Sequence, residues 1–306
     1  MKMAYQESGV SAVVLGAMQD GGLPHIGCEC PRCRAAIKNP SLSGFAASLA
    51  IRDRRGGQTA VWIIDATPDI KWQIAMLAAD LSPQEQNMGS HAVSSLKQRD
   101  GRLRQPDGIF LTHAHMGHIG GLPQLGPEAM AVQNLPLYGT PPLLTLLRET
   151  SLWQPTISRL VLRPLLPGEP LKLAPGLRIT AVPVPHRDEW NIGTVAYRIE
   201  GPQKTVLYLP DIDDWDRWPQ PAQELAAVDV ALVDASFYSM DELGDRAPVA
   251  HPLVPDTLRR FAGIPGRLVL THMNHTNPIL DEDSLERRVV IQAGAQIAYQ
   301  GLEFFL

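Results

Sequence analysis

Apolar residues in this chain fall mostly in short runs that end on a polar residue. The runs are Ala12–Leu15, Ala46–Ile51, Val61–Asp65, Ile109–Thr112, Leu177–Val184, Thr194–Ile199, Thr205–Leu209, Val228–Val233 and Leu268–Thr271. Several are apolar at nearly every position, the pattern of strands covered on at least one face. Between them, residues 68–80, 119–131, 141–151, 221–227, 254–262 and 283–293 read as helices. The early chain is strands joined by short turns and the later chain mixes both, which predicts a layered α/β domain with helices outside the sheets. The polar stretch 81–106, with Pro83, Asn87, Gly89, Ser90 and Gly101, predicts a loop or a short helix. Neither a linker nor a repeat interrupts the pattern, so 1–306 is expected to be one domain.

Composition narrows the picture. With 44% apolar residues in 306, the chain can bury a sizeable core. A net charge of −5 and a pI of about 6.0 give no global basic field, and there is no aromatic–basic interleaving, so nucleic acid is not an expected partner. No apolar run approaches the roughly 20 residues that cross a bilayer, and Met1–Gly9 lacks the look of an export signal. The expectation is a cytoplasmic protein, off the membrane, acting on a small-molecule substrate.

Candidate chemistry sits in two places. Residues 109–122 read Ile-Phe-Leu-Thr-His-Ala-His-Met-Gly-His-Ile-Gly-Gly-Leu, an apolar strand running into His113, His115 and His118. His113 and His115 are two apart, so on extended backbone they point the same way. His118 follows a turn that can fold its ring back. Neutral imidazoles so placed suit zinc, iron or manganese. The second place is Cys28-Glu29-Cys30-Pro31-Arg32-Cys33, which holds all 3 cysteines of the chain. An odd, tight cluster is a poor disulfide framework but can wrap a tetrahedral zinc, with one ligand missing locally.

The segment Thr-His-Ala-His-Met-Gly-His-Ile-Gly-Gly-Leu resembles the His-x-His-x-Asp-His signature of the metallo-β-lactamase superfamily. Further matches follow in order at the ends of apolar runs, so the resemblance spans almost the whole chain. It implies a four-layer αβ/βα sandwich with one or two Zn2+, Mn2+ or Fe ions at the sheet edge. Asp65 matches the acidic residue that braces the metal loop, although Asp69 is a neighbouring acid that can cap the helix near Pro68. His186 matches the third ligand of the first metal, Asp211 the bridging carboxylate, and His272 the last ligand of the second. One departure stands out: position 117 is Gly where the signature has Asp. The first site keeps His113, His115, His186 and Asp211, and the second keeps His118, Asp211 and His272. The lost carboxylate predicts a dominant first metal and a weaker second one.

The cysteine cluster resembles two subgroups of that superfamily. One contains the pyrroloquinoline-quinone biosynthesis protein B, the other the cyclic phosphodiesterase of phosphonate breakdown. The second subgroup implies a structural zinc held by Cys28, Cys30, Cys33 and His275, in an N-terminal loop over about 20–35. His275 and His272 are three apart, and either can be the active-site ligand; the strand-end position favours His272. The stretch Gln19-Asp20-Gly21-Gly22-Leu23-Pro24-His25 resembles the Gly-Gly-x-Pro turn of the quinone subgroup. By that analogy Asp20 and His25 lie near the pocket, where they can bind substrate; a plain turn is the alternative. His251 matches a histidine proposed as proton donor in the phosphodiesterase, against the alternative of a surface-loop histidine. Trp190 is the best pocket-rim tryptophan, with core packing as the alternative.

Three functions follow. Hydrolysis leads, with a metal-bound hydroxide attacking a small phosphodiester or related ester, and with Asp211 and His251 as catalytic groups. Oxidation or hydroxylation in cofactor biosynthesis is the second, and a non-catalytic accessory role is the third. Dimers are common in the superfamily, so the resemblance suggests a homodimer while the sequence leaves assembly open.

Overall fold

The first strand, β1 (Val10–Gly16), is buried at every position, so both of its faces must be covered. The computed structural model, which describes residues 9–79, 103–244 and 250–306, shows how. After β1 come β2 (Ser48–Asp53), β3 (Ala60–Ile64), β4 (Gly108–Phe110), β5 (Leu135–Gly139) and β6 (Leu160–Pro164). Then come β7 (Pro170–Ala174), β8 (Leu177–Val184), β9 (Thr194–Glu200), β10 (Thr205–Leu209), β11 (Val230–Asp234), β12 (Arg267–Thr271), β13 (Gln296–Ile297) and β14 (Glu303–Phe305). They form two mixed sheets, in the orders β14-β1-β2-β3-β4-β5-β6 and β13-β12-β11-β10-β9-β8-β7.

Strand alternation assigns the faces. Val61 and Ile63 of β3 pack with Ile70, Ile74 and Leu77 of helix Ile70–Ala79 and with Leu143 and Leu147 of helix Pro141–Glu149. Trp62 and Ile64, out of phase by one residue, join a second cluster with Ile179, Ala181, Tyr197 and Ile199 from the other sheet. Each such side chain contributes about 1.5–3 kcal/mol by leaving water. The result is the helix–sheet–sheet–helix layering expected.

The pairing places the chemistry. β3 to β6 run parallel, as do β10 to β13, and parallel sheets bind ligands beyond the carboxyl ends of their strands. Asp65 follows β3, Asp211 lies two residues past β10, Asp234 ends β11 and His272 follows β12. Asp65 and His272 adopt left-handed φ values of 69° and 59°, a conformation that strains a non-glycine residue and is common where a site dictates it. The sheets are joined here: Tyr197 Oη donates to Leu111 O (2.7 Å) and Val195 N to Thr112 O (3.1 Å).

Two sequence expectations need correction. The helix over 119–131 is instead a turn of helix at Met116–Ile119 and a 3-10 turn at Leu122–Leu125. Its backbone is committed elsewhere: Ala66 N donates to His118 O (2.8 Å) and Gly121 N to Ala66 O (2.7 Å). A Cβ at Gly121 would lie 1.9 Å from Thr67 O, so only glycine permits this approach. Strands β5, β6, β7, β13 and β14 and helix Pro31–Lys38 were not expected. Apart from β5, these strands are sheet edges, where Pro164 and Pro170 are tolerated and the apolar pattern is weak. Most of 81–106 lies outside the described residues.

Candidate metal centre

His113, His115, His118 and His272 each use one ring nitrogen for a brace, which leaves the other facing inward. Asp65 is fully buried and is the hub. Its Oδ1 accepts from Thr112 N (2.8 Å) and its Oδ2 from His118 Nδ1 (2.8 Å). Thr112 Oγ1 donates to Asp65 (3.0 Å), which frees its lone pairs to accept from His113 Nδ1 (2.9 Å). His115 Nε2 donates to Glu189 Oε2 (2.9 Å), and His186 Nδ1 lies 3.0 Å from Asp213 Oδ1. Ser236 Oγ donates to Asp234 Oδ1 (2.8 Å) and takes His272 Nδ1 at 3.1 Å. Asp69, the alternative to Asp65, accepts from Ala46 N (2.9 Å) instead. Asp65→Ala removes acceptors from two buried N–H groups at a left-handed position. It should destabilise the metal-free protein by roughly 2–4 kcal/mol and weaken cation binding about 10–100-fold. Urea melts and metal titration check this, and an unchanged melt would show that the hub carries no stability.

The free ring nitrogens converge. His113 Nε2 lies 3.0 Å, and His186 Nε2 3.2 Å, from His115 Nδ1. Asp211 adds Oδ2 at 4.0 Å from His113 Nε2 and Oδ1 at 3.7 Å from His186 Nε2. Ligand atoms on a tetrahedron about zinc stand roughly 3.3 Å apart, given bonds of about 2.0–2.1 Å. With the N–H groups of His113 and His115 turned to their braces, these two rings and His186 crowd their inward nitrogens about one point, a repulsive arrangement that a cation relieves.

A second set lies alongside. Asp211 Oδ2 is 3.0 Å from His118 Nε2 and 3.3 Å from His272 Nε2. Asp20 Oδ1 approaches the same nitrogens at 3.3 and 3.5 Å. Asp211 Oδ2, Asp20 Oδ1 and His272 Nε2 are buried atoms with no hydrogen-bond partner among the described residues. Buried polar atoms are almost always satisfied, so orphans facing each other at this spacing fit a cation. Burial alone would raise the Asp211 carboxyl, but His272 and His118 hold it well below the usual carboxylate range. Burial would likewise lower His118, yet Asp65 and Asp211 hold it well above an ordinary imidazole.

Comparison with known proteins agrees with this geometry. Residues 62–273 match the family model for a beta-lactamase superfamily domain, and those residues contain every histidine of both sets. The chain belongs to the metallo-β-lactamase superfamily. Among relatives of this superfamily member, coenzyme PQQ synthesis protein B of Methylococcus capsulatus is 31% identical over 96% of this chain and 99% of its own length. The Pseudomonas paraeruginosa protein of the same name is 27% identical, with 96% and 99% covered. The crystal structure of Zn2+-bound PqqB from Methylobacterium extorquens superposes with a TM-score of 0.79 at 25% identity, covering 97% of this chain and 100% of that one. A diphosphatase of the PhnP family gives 0.65 at 21% identity with 96% of each chain covered, which extends the likeness of fold.

A further donor cluster lies outside residues 62–273. Cys28, Cys30, Cys33 and His275 bring one potential ligand atom each within 4.8 Å of one another, and the cysteines form no disulfide. Backbone N–H groups of His25, Cys30 and Cys33 point at Sγ of Cys33, Cys28 and Cys30, at 3.3, 3.4 and 3.4 Å. Burial opposes ionisation of Cys30, but the Cys33 N–H together with the Cys28 and Cys33 side chains and the Arg32 N–H outweighs it and lowers the thiol. His275 Nδ1 is a buried atom without a partner among the described residues. His25 stacks on the His275 ring at 4.5 Å, so the structure puts it against this cluster.

His251 is buried, which removes the surface-loop alternative. Its Nδ1 lies 2.6 Å from Asp234 Oδ2, and its ring centre is 5.8 Å from His186 and 6.0 Å from His272. Trp190 is 46% exposed, so it is not core; it sits on the loop that carries Glu189 to His115. Glu189, Asp213, Asp234, Ser236 and Thr112 were not singled out from the sequence. The available signal was their position: Thr112, Asp213 and Glu189 stand within three residues of a candidate ligand, and Asp234 ends an apolar run.

Proposed function

We propose that the chain is a metal-dependent hydrolase that cleaves a small phosphodiester or related ester at a two-cation site. The observation that carries this reading is the pair of donor sets sharing Asp211, beside the buried His251, whose Nε2 has no hydrogen-bond partner among the described residues. His113, His115, His186 and Asp211 would hold one cation, and His118, His272 and Asp211 the other. The bound cations would supply Lewis acidity and a water acidified towards neutral pH. Asp211 orients both sets, Asp65, Thr112, Glu189 and Ser236 fix imidazole tautomers, and the Asp213 carboxylate lies beside His186 Nδ1. His251 holds a proton at Nε2 for the leaving oxygen. Cys28, Cys30, Cys33 and His275 hold a structural zinc that fixes the N-terminal loop. The phosphodiester preference rests on that cysteine pattern and its likeness to the phosphodiesterase subgroup.

A second reading, oxidation in cofactor biosynthesis, is favoured by the 31% identity to coenzyme PQQ synthesis protein B across nearly the full length of both chains. Metal analysis and turnover separate the two. Protein loaded with Zn2+ or Mn2+ should hydrolyse bis(p-nitrophenyl) phosphate or a small cyclic phosphodiester. Iron-loaded protein that consumes oxygen with a tyrosine-derived substrate, and no hydrolysis, would select the second reading. Cys28→Ser should lose one tightly held zinc while the exchangeable ions remain. Retention of that zinc would dismiss the structural site.

A further inference from the structure

We infer that Asp20 is the fourth ligand of the second cation, a carboxylate delivered from the loop after β1 in place of the one absent at position 117. The inference rests on the two-cation reading above and goes past it by completing the donor set. Asp20 Oδ1 lies 3.3 Å from His118 Nε2 and 3.5 Å from His272 Nε2, nearly matching the 3.0 and 3.3 Å of Asp211 Oδ2 on the other side. The Asp20 side chain is 41% exposed as a whole, yet its Oδ1 is buried and has no hydrogen-bond partner among the described residues. One oxygen is therefore turned into the site.

Gly117 gives the independent observation. A Cβ built there would lie 2.0 Å from Asp20 Oδ1, 2.3 Å from its Cγ and 2.5 Å from its Cβ. The backbone at 117 is not left-handed, so glycine is not required by its φ. It is required by space, because the Asp20 carboxylate fills the volume where a side chain at 117 would begin. A carboxylate can enter this site from position 117 or from position 20, but not from both.

The loop is built to hold that position. Gln19 N donates to Met273 O (2.9 Å), so the residue before Asp20 is pinned to the residue after His272. Gly22 N donates to Gln19 O (2.8 Å) and closes a turn around Asp20. Further along, the cysteine cluster meets His275, three residues beyond His272. The loop is thus clamped at both ends to the segment that carries a second-site ligand. The second donor set becomes two imidazoles and two carboxylates, against three imidazoles and one carboxylate in the first. The weaker second cation expected from Gly117 alone is thereby restored.

The test is Co2+ titration of the zinc-clamped full chain, followed by visible absorption and elemental analysis. Four proteins are compared: wild type, Asp20→Ala, Asp20→Asn and the relocation pair Asp20→Gly with Gly117→Asp, in which no Cβ at 20 meets the one added at 117. Wild type should take up two exchangeable Co2+. Both single variants should weaken one of them by about 100-fold or more while the spectrum of the other is unchanged, which also reports an intact fold. The relocation pair should recover the second equivalent. Two equivalents at wild-type affinity in both Asp20→Ala and Asp20→Asn would overturn the assignment and leave the two-cation reading standing. Fewer than two exchangeable equivalents in wild type would overturn both.

Discussion

Asp211→Asn should strip the protein of its second exchangeable cation, weaken the first, and lower hydrolytic turnover by about 10³-fold. The magnitude follows from what a cation contributes: several kcal/mol of charge stabilisation, at about 1.4 kcal/mol for each tenfold in rate. Among the described residues, Asp211 is the one side chain whose two oxygens face both donor sets, with Oδ1 3.7 Å from His186 Nε2 and Oδ2 3.0 Å from His118 Nε2. Asparagine keeps the shape but offers a single neutral oxygen, so the change removes charge without opening a cavity. The damage should therefore appear in metal content more than in the metal-free fold. Because the wild-type cations bind only the folded chain, their loss should also lower the melting temperature measured with metal present. Metal content, melting with and without chelator, and turnover are the readouts. Two ions retained at wild-type affinity would mean that Asp211 is not shared.

The part of this centre legible in the sequence is the part fixed by strand ends. His113, His186, Asp211 and His272 each follow an apolar run by one to three residues. The runs before His113, Asp211 and His272 lie in the parallel parts of the sheets, which lead the next polar residue to a common edge. β8 before His186, though paired antiparallel with β7 and β9, runs in the same direction as β10. What was not legible came from loops whose path depends on tertiary contacts. The sequence places Asp20 near the pocket as a substrate contact or in a plain turn, not on a cation, and its approach to His118 depends on the Gln19–Met273 backbone bond and on the missing side chain at 117. Glu189 likewise reaches His115 through a surface loop. The helix expected over 119–131 failed for the same reason: its apolar spacing is real, but the Ala66 backbone takes the hydrogen bonds that a helix needs. Local periodicity describes the sheets well because their cores are repetitive. It is silent where one backbone group captures another far along the chain.

His251→Ala should lower kcat for a phosphodiester with a poor leaving group by about 10²–10⁴-fold, the usual contribution of a positioned general acid. A p-nitrophenolate leaving group needs little protonation, so the loss there should be much smaller, and that contrast separates proton donation from structural damage. The geometry behind this is a buried dyad: Asp234 Oδ2 accepts from His251 Nδ1 at 2.6 Å, and His251 Nε2 is a buried atom with no partner among the described residues. Burial by itself would lower the pKa of His251, but the Asp234 carboxylate outweighs it and holds the ring above its ordinary value. A raised value extends the imidazolium to higher pH than an ordinary histidine keeps it, so activity that needs the proton is present at lower pH and falls as pH rises through the shifted value. Asp234→Asn removes the main raising influence, and the alkaline limb of kcat should then move to lower pH. A limb that stays in place, or an equal loss for good and poor leaving groups in His251→Ala, would show that this histidine does not deliver the proton.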